Sequence, residues 1–460
     1  MKLPHVAVSL MLILACQGCQ QQAPHAAEGV HDPGVRGGPP GAGEPLPGLT
    51  ADEQVFFENG RERFLEIDAV SDGLGPRFNA NQCSACHLQP EIGGSSPAKN
   101  PLAAIATLDG AKNSVPWFIT PDGPVREARF KLNSDGTPDG GVHALFVITG
   151  RSDAAGCTLT QPDFSPAGDP HSGAGGNSNV IFRIPTPLFG AGLIEAIPDA
   201  EILANVRTND SDKKELGIAG HPNAHISGAA NLSANDGTIT RFGWKAQNKS
   251  LLLFAAEAYN VEMGVTNPIF PQERDESGGC VLNPTPEDNN HFADTSRAGT
   301  LSDIEAFAVF MRLLAPPNPA TETPQSAKGK ALFVSTGCAH CHTPSLVTGP
   351  RISSGGARNP SAALSGVTAN LYSDLLLHKM GEGLADGIAQ GAAGPDEFRT
   401  APLWGVGQRV FFLHDGRTTD LIVAIESHVS RGSEANRVIE RFNRLSAGEQ
   451  QAIIDFLRSL

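Results

Sequence analysis

Two copies of one five-residue pattern constrain this chain more than anything else in it. "CSACH" at residues 83–87 and "CAHCH" at 338–342 each set two cysteines two residues apart, with a histidine directly after the second. A Cys-x-x-Cys pair can hold zinc, form a redox-active disulfide or bond a haem. Zinc needs a second ligand pair, usually within about 12–20 residues, and none follows the first motif. A redox dithiol needs a βαβ setting, and the flanking sequence does not alternate as strands do. The adjoining histidine favours haem, because both thiols become thioethers and the next residue is the proximal iron ligand. One helical turn puts both sulfurs on the porphyrin edge and the imidazole beneath the iron. The sequence therefore predicts two covalently bound haem c groups. Cys83, Cys86 and His87 carry one, and Cys338, Cys341 and His342 carry the other.

At 460 residues the chain is long enough for two or three domains with cores of their own. Three segments start as helices do, with Ser or Thr followed three residues on by Glu. They are "TADE" (50–53), "SDIE" (302–305) and "SAGE" (446–449), and apolar residues at helical spacing follow each. A helix before a haem motif and another closing the unit is the plan of a cytochrome c-like domain. The expected fold is mainly α with much irregular loop. Two such haem domains, 49–318 and 319–460, meet at the linker-like "APPNPATETP" (315–324). The first is enlarged by a loop-rich insertion, roughly 90–240, with short strands such as "VHALFVITG" (142–150). Residues 179–203 begin extended and become helical.

The opening "MKLPHVAVSLMLILACQGCQQQAP" reads as an export signal, with Lys2 as its charge and residues 6–15 as an apolar stretch too short to span a bilayer. It runs into Cys16 and Cys19, each after a small residue, which is the pattern of a lipoprotein signal (1–19) lipidated at one of the two. An ordinary cleaved signal is the alternative. Glutamine follows either cysteine, so there is no inner-membrane retention cue. The expected location is the periplasm, with a lipid anchor in the outer membrane as the only membrane contact. Residues 20–48, rich in Pro and Gly, read as a flexible linker in which His25 and His31 are solvated. Net charge is -15, which argues against nucleic acid or anionic lipid as a partner and is compatible with a basic redox protein. Of 8 cysteines, only Cys157 and Cys280 are left over. In an oxidising compartment a disulfide between them is the expectation, against two free buried thiols.

"SLLLFAAEAYNVEMGVTN" (250–267) and "LWGVGQRVFFLHDGRTTDLIVAIESH" (403–428), flanking the second haem motif, resemble the bacterial dihaem cytochrome c peroxidase superfamily. "RFGWKA" (241–246), "YSDLLLHKMGEGLADG" (372–387) and "FLHDGR" (412–417) are similar to its dihaem oxidoreductase, thiol oxidoreductase-like, branch. The resemblance covers roughly 50–460. It implies one haem that passes electrons, another that meets peroxide or oxygen, and a small cytochrome or cupredoxin as electron donor. It also implies roles for single residues. Glu262 matches the distal carboxylate that handles protons, Trp244 the inter-haem tryptophan, and His428 the position that ligates the second haem. Two departures weaken the peroxidase reading. Phe254 stands at the distal glutamine position. Arg409 and Phe411 occupy the stretch that supplies calcium ligands, which leaves calcium doubtful.

Beside the resemblance, the chemistry turns on whether each iron has a sixth protein ligand, since only an open iron binds peroxide or oxygen. For the second haem the candidates are His428 and Met380, with His414 better suited to a propionate or backbone contact. Met263 and Met311 read as core. His340 points away as a spacer, and His143, His171, His221, His225 and His291 lie in polar loops. Cleaving peroxide needs a base near neutral pKa. The apolar neighbours of Glu262 suit it to that task, against an ordinary surface glutamate, and Glu195 is a second candidate. Three functions remain open on sequence: a peroxidase-like dihaem oxidoreductase, a pure electron-transfer cytochrome, and an oxygenase acting on an organic substrate.

Overall fold

Each of the three helix-start signatures opens a helix in the computed structural model. Ala51–Leu65, Asp303–Leu313 and Ala447–Ser459 all begin with a reciprocal capping box, from Thr50 to Glu53, Ser302 to Glu305 and Ser446 to Glu449. A fourth helix, Pro324–Thr336, is capped by Thr323 and Ser326 with proline in its first turn. The structure describes residues 29–38, 40–165, 178–224, 239–275, 277–290, 297–350 and 361–460. Cys16, Cys19, His25, His171, His225 and His291 lie outside the described residues.

The four helices form two crossed pairs built alike. Ala51–Leu65 packs on Asp303–Leu313 and Pro324–Thr336 on Ala447–Ser459. At the first crossing a Cβ on Gly60 would collide with the Ala306 carbonyl and with Phe310; at the second, a Cβ on Gly329 would collide with the Ala452 carbonyl and with Phe456. The backbones meet only because these two positions carry no side chain. Four residues on, Phe64 and Phe333 pack against the same partners, with ring centres 5.0 Å from Phe310 and 5.4 Å from Phe456. Each phenylalanine also reaches the histidine of its own motif, at 6.1 Å for His87 and 6.2 Å for His342. One arrangement, Gly and Phe a turn apart against Ala and Phe a turn apart, is therefore repeated beside both Cys-x-x-Cys-His motifs.

The insertion holds more regular structure than loops with a few strands. Glu127–Phe130 is the centre of a three-stranded antiparallel sheet, flanked by Val142–His143 and Val180–Arg183, with Glu127 opposite Arg183. Three short helices follow, Ala191–Ala196, Asp199–Arg207 and Asp210–Leu216. Cys157 and Cys280 are bonded to each other, which ties the insertion to the segment before Asp303–Leu313. The boundary at 318/319 separates the helix pairs but not the cores. Leu346, Leu371, Leu376 and Trp404, all beyond it, belong to the same apolar cluster as Phe57 and Phe310.

Residues 29–48 differ from a free linker. The Asp32 carboxylate accepts from Nε and Nη2 of the Arg458 guanidinium at 2.7 and 2.6 Å and from the Leu421 N–H at 2.7 Å. The Arg36 N–H bonds the Gly407 carbonyl at 2.8 Å, and the Leu46 N–H bonds the Leu313 carbonyl at 2.7 Å. Pro and Gly deprive this stretch of apolar side chains but not of backbone hydrogen bonds or of its one well-placed acid. The segment lies as a strap across both helix pairs.

Candidate active site: two cavities that meet at Trp244

Both motifs fold as a single tight turn. The Cys86 and His87 N–H groups bond the Cys83 carbonyl, and the His342 N–H bonds that of Cys338. Each turn opens on its own cavity. The N-terminal one holds about 1240 Å³ free of protein atoms and the C-terminal one about 1450 Å³, open solvent at the mouths included, and both are lined mainly by apolar side chains.

The donor sets fit haem. None of the four motif cysteines is in a disulfide. Burial pushes the Cys83 and Cys86 thiols well up and that of Cys338 to about 12. Thiols held protonated in this way are poor redox nucleophiles, and among the described residues no group of three or more His, Cys, Asp or Glu is placed to hold a metal ion. Burial lowers His87 and His342 to about 4, so both are neutral imidazoles able to bind a metal at physiological pH. Nδ1 of His87 lies 3.0 Å from the Gly94 carbonyl and Nδ1 of His342 3.1 Å from that of Tyr372. A bond from Nδ1–H to a carbonyl fixes the tautomer with its lone pair on Nε2.

The cavities differ in what else they contain. His428 lines the C-terminal one. Its Nδ1 is 2.8 Å from the Ala424 carbonyl, so it repeats the tautomer of His342. Burial also lowers its pKa. His378 lines the same cavity, but both its ring nitrogens are engaged, by Asp374 at 2.9 Å and Glu434 at 2.8 Å. Met380 borders it too. His414 is buried and stacked on Phe398 at 4.3 Å. Arg409 is a buried cation lining this cavity, and Phe411 is buried core. His340 is partly buried; His143 pairs with Asp139 at 2.8 Å and His221 with Glu397 at 3.1 Å.

Among the described residues lining the N-terminal cavity, His87 is the only histidine. Met263 also lies there, with its sulfur 3.9 Å from that of Cys83, as does Met311 of the buried core. Glu262 faces this space from near the end of the helix Leu251–Met263. Its carboxyl is pushed up to about 8, first by burial and then by Glu127 and Glu257, against a smaller opposing effect of Arg129. These charged neighbours were not legible in sequence. Glu127 and Arg129 share one face of their strand, two residues apart, and bond each other at 2.7 Å. Gln247 also lines the cavity. Phe254 does as well, stacked on Phe242. Glu195 is not at the site. Its oxygens are taken by Arg312 at 2.6 Å and by the Leu251 N–H at 2.9 Å, so it ties its own short helix to two others.

The raised carboxyls carry a stability consequence. Burial is the first cause in each case, with Asp68 and Glu262 at about 8, Glu273 at about 7 and Asp288 at about 6. Each keeps in the folded chain a proton that the unfolded chain releases near 4. Their contribution is intact below that value and is lost as pH rises to about 8. Asp386 runs the other way. Burial pushes it up, but Arg183 and Lys245 outweigh this and hold it low, so its contribution is lost in acid. Burial of His87 and His342 opposes this below about pH 6.5, where the unfolded chain takes up protons that they refuse down to about 4. The melting temperature should therefore fall between about pH 6.5 and about pH 8, and one that rises over that range contradicts this.

Only Trp244, among the described residues, borders both cavities. Its indole N–H bonds the Ile184 carbonyl at 2.8 Å.

Comparison with known proteins agrees in kind. No curated protein matches the chain. Solved structures with some likeness include a hydrazine synthase of Kuenenia stuttgartiensis (16% identity, TM-score 0.21, covering 34% of this chain and 55% of that one). The diheme peroxidase BthA of Burkholderia thailandensis shares 14% identity at a TM-score of 0.28, over 48% of this chain and 65% of that one. A MauG-like protein associated with microbial copper homeostasis shares 16% at 0.30, over 60% and 90%. The chain thus spans less than two thirds of the first two, at scores too low to carry site geometry across. The family described as "Di-haem oxidoreductase, putative peroxidase" matches residues 176–460, more than half of the chain, including the second motif, Trp244, Glu262 and His428. The chain belongs to this di-haem oxidoreductase family, which implies two haems.

Proposed function

We propose that this is an exported c-type enzyme that reduces peroxide in the N-terminal cavity with electrons delivered through the C-terminal one. The carrying observation is the asymmetry of the cavities. One offers a second neutral imidazole, His428, while the other offers a partly buried carboxyl with a raised pKa, Glu262. Cys83, Cys86, Cys338 and Cys341 would hold the two haems covalently, with His87 and His342 as iron ligands and His428 as sixth ligand of the C-terminal haem. Haem held there supplies the iron at which peroxide is cleaved and the carrier through which electrons arrive. Glu262 takes a proton from one peroxide oxygen and returns it to the other, which leaves as water. Arg129 and Glu127 set the charge around it. Trp244 lies on the path between the sites. A small redox protein of cytochrome or cupredoxin type would donate the electrons in the periplasm, with Cys16 or Cys19 carrying an outer-membrane lipid anchor.

Electron paramagnetic resonance of the oxidised protein tests this reading. One high-spin and one low-spin signal support it. Two low-spin signals make the chain an electron relay, and an open iron that consumes no peroxide favours the oxygenase reading suited to Phe254. His428→Ala should convert the low-spin signal to high-spin. An unchanged low-spin signal would move the ligand to Met380.

A further inference from the structure

The surroundings of Trp244 converge on one buried carboxylate, Asp386, which is 2% exposed. Its Oδ2 accepts from Arg183 Nε at 3.2 Å and Nη2 at 2.6 Å. Its Oδ1 lies 3.1 Å from Lys245 Nζ and accepts the Ile388 N–H at 3.0 Å. Both cations are buried as deeply, Arg183 at 1% and Lys245 at 0%. Their places in the chain matter most. Arg183 directly precedes Ile184, whose carbonyl holds the Trp244 indole N–H, and Lys245 directly follows Trp244. One carboxylate therefore grips the acceptor strand and the tryptophan's own backbone together. The remaining bonds extend the grip. Lys245 Nζ also donates to the Gly394 and Glu397 carbonyls, each at 2.8 Å, and the Trp244 carbonyl accepts the Arg399 N–H at 2.8 Å.

A buried ion cluster is a poor way to gain stability, because apolar residues of equal volume often do as well. What it does supply is a fixed geometry, since two buried cations so close together stay in place only around a shared anion. We propose that Asp386 is a positioning residue that, by joining Arg183 to Lys245, holds the Trp244 indole between the two cavities. The inference deepens the reading of Trp244 as the path between the sites and rests on it for its functional meaning.

The test uses the haem-loaded full chain and two variants. Asp386→Asn keeps size but removes the anion. Lys245→Met removes the tie on the tryptophan side, together with the bonds to the Gly394 and Glu397 carbonyls, and leaves the Arg183–Asp386 pair in place. Ultraviolet resonance Raman reads the indole N–H hydrogen bond, with the Trp244 band identified by subtracting the Trp244→Phe spectrum. Rapid mixing reads electron transfer between the two sites. Both variants should shift the Trp244 band towards a weaker hydrogen bond. Transfer should slow in both variants, towards the rate of Trp244→Phe. Haem content and the spin state of both irons should stay put, because no iron ligand is touched, while the potentials should move in opposite directions, since one variant removes a buried anion and the other a buried cation. If the Trp244 band keeps its wild-type position in the folded variants, the proposal is overturned. If the band moves while transfer keeps its rate, Asp386 positions Trp244 as proposed and the reading of Trp244 as the path fails instead. Should Asp386→Asn not fold, the band in Lys245→Met decides alone.

Discussion

Glu262→Gln should lower the rate of peroxide consumption by about 10²–10⁴-fold, the usual loss when a general acid–base group is removed. Glutamine keeps the shape of the side chain and cannot take the proton. Haem content and both reduction potentials should match wild type, because Glu262 is not an iron ligand. The pH profile gives a second, independent reading. With the carboxyl at about 8, the fraction ionised and able to act as base grows as pH rises through that value. The wild-type rate should climb over the same range, and the climb should be missing from the variant. A variant that consumes peroxide at the wild-type rate makes Glu262 a structural residue. The cavity would then have to find its base among Glu127 and Glu257.

Asp32→Ala should cost the fold about 3 kcal/mol, the lower end of the range for removing one partner of a buried pair. The lower end applies because the two side chains are each 5% exposed, while the Asp32 residue as a whole is only partly buried. The loss leaves the Arg458 guanidinium without its carboxylate and the Leu421 N–H without its acceptor. Leu421 begins the helix Leu421–Glu426, whose Ala424 carbonyl fixes the His428 ring. The damage should therefore reach the C-terminal cavity as a partial loss of the low-spin signal. Asp32→Asn combined with Arg458→Met restores an acceptor and removes the stranded charge, and should recover most of the loss. Urea unfolding followed by circular dichroism measures both effects. If the single and double variants are equally destabilised, the ion pair is not what holds the strap.

Local signals are legible in this sequence, and long-range ones are not. A capping box spans four residues, so Thr50, Ser302 and Ser446 announce their helices without reference to the rest of the fold. The Cys-x-x-Cys-His motifs are equally local. The matched crossings at Gly60 and Gly329 are different, because each glycine has meaning only beside a helix more than 100 residues later. The cluster around Glu262 draws on Glu127 and Arg129 from a strand that sequence reading placed in a loop-rich insertion. Asp386 is joined to residues about 140 and 200 positions away. Composition misled most at the strap. Pro and Gly report how little core residues 29–48 can bury, but say nothing of the partner waiting for Asp32.

That partner is 426 residues further along the chain, which imposes an order in time. Asp32 is among the first described residues to be made, and Arg458 is among the last. At synthesis rates of about 5–20 residues per second, roughly 20 to 85 seconds separate them. Both Cys-x-x-Cys-His motifs are complete before the bond can form. Contacts this far apart also carry the largest loop-closure cost and are slow to make. The clamp therefore needs a chain made as far as Arg458, with both motifs and all four helices of the two pairs in it. A chain cut short before that point keeps the strap but lacks the guanidinium that Asp32 binds.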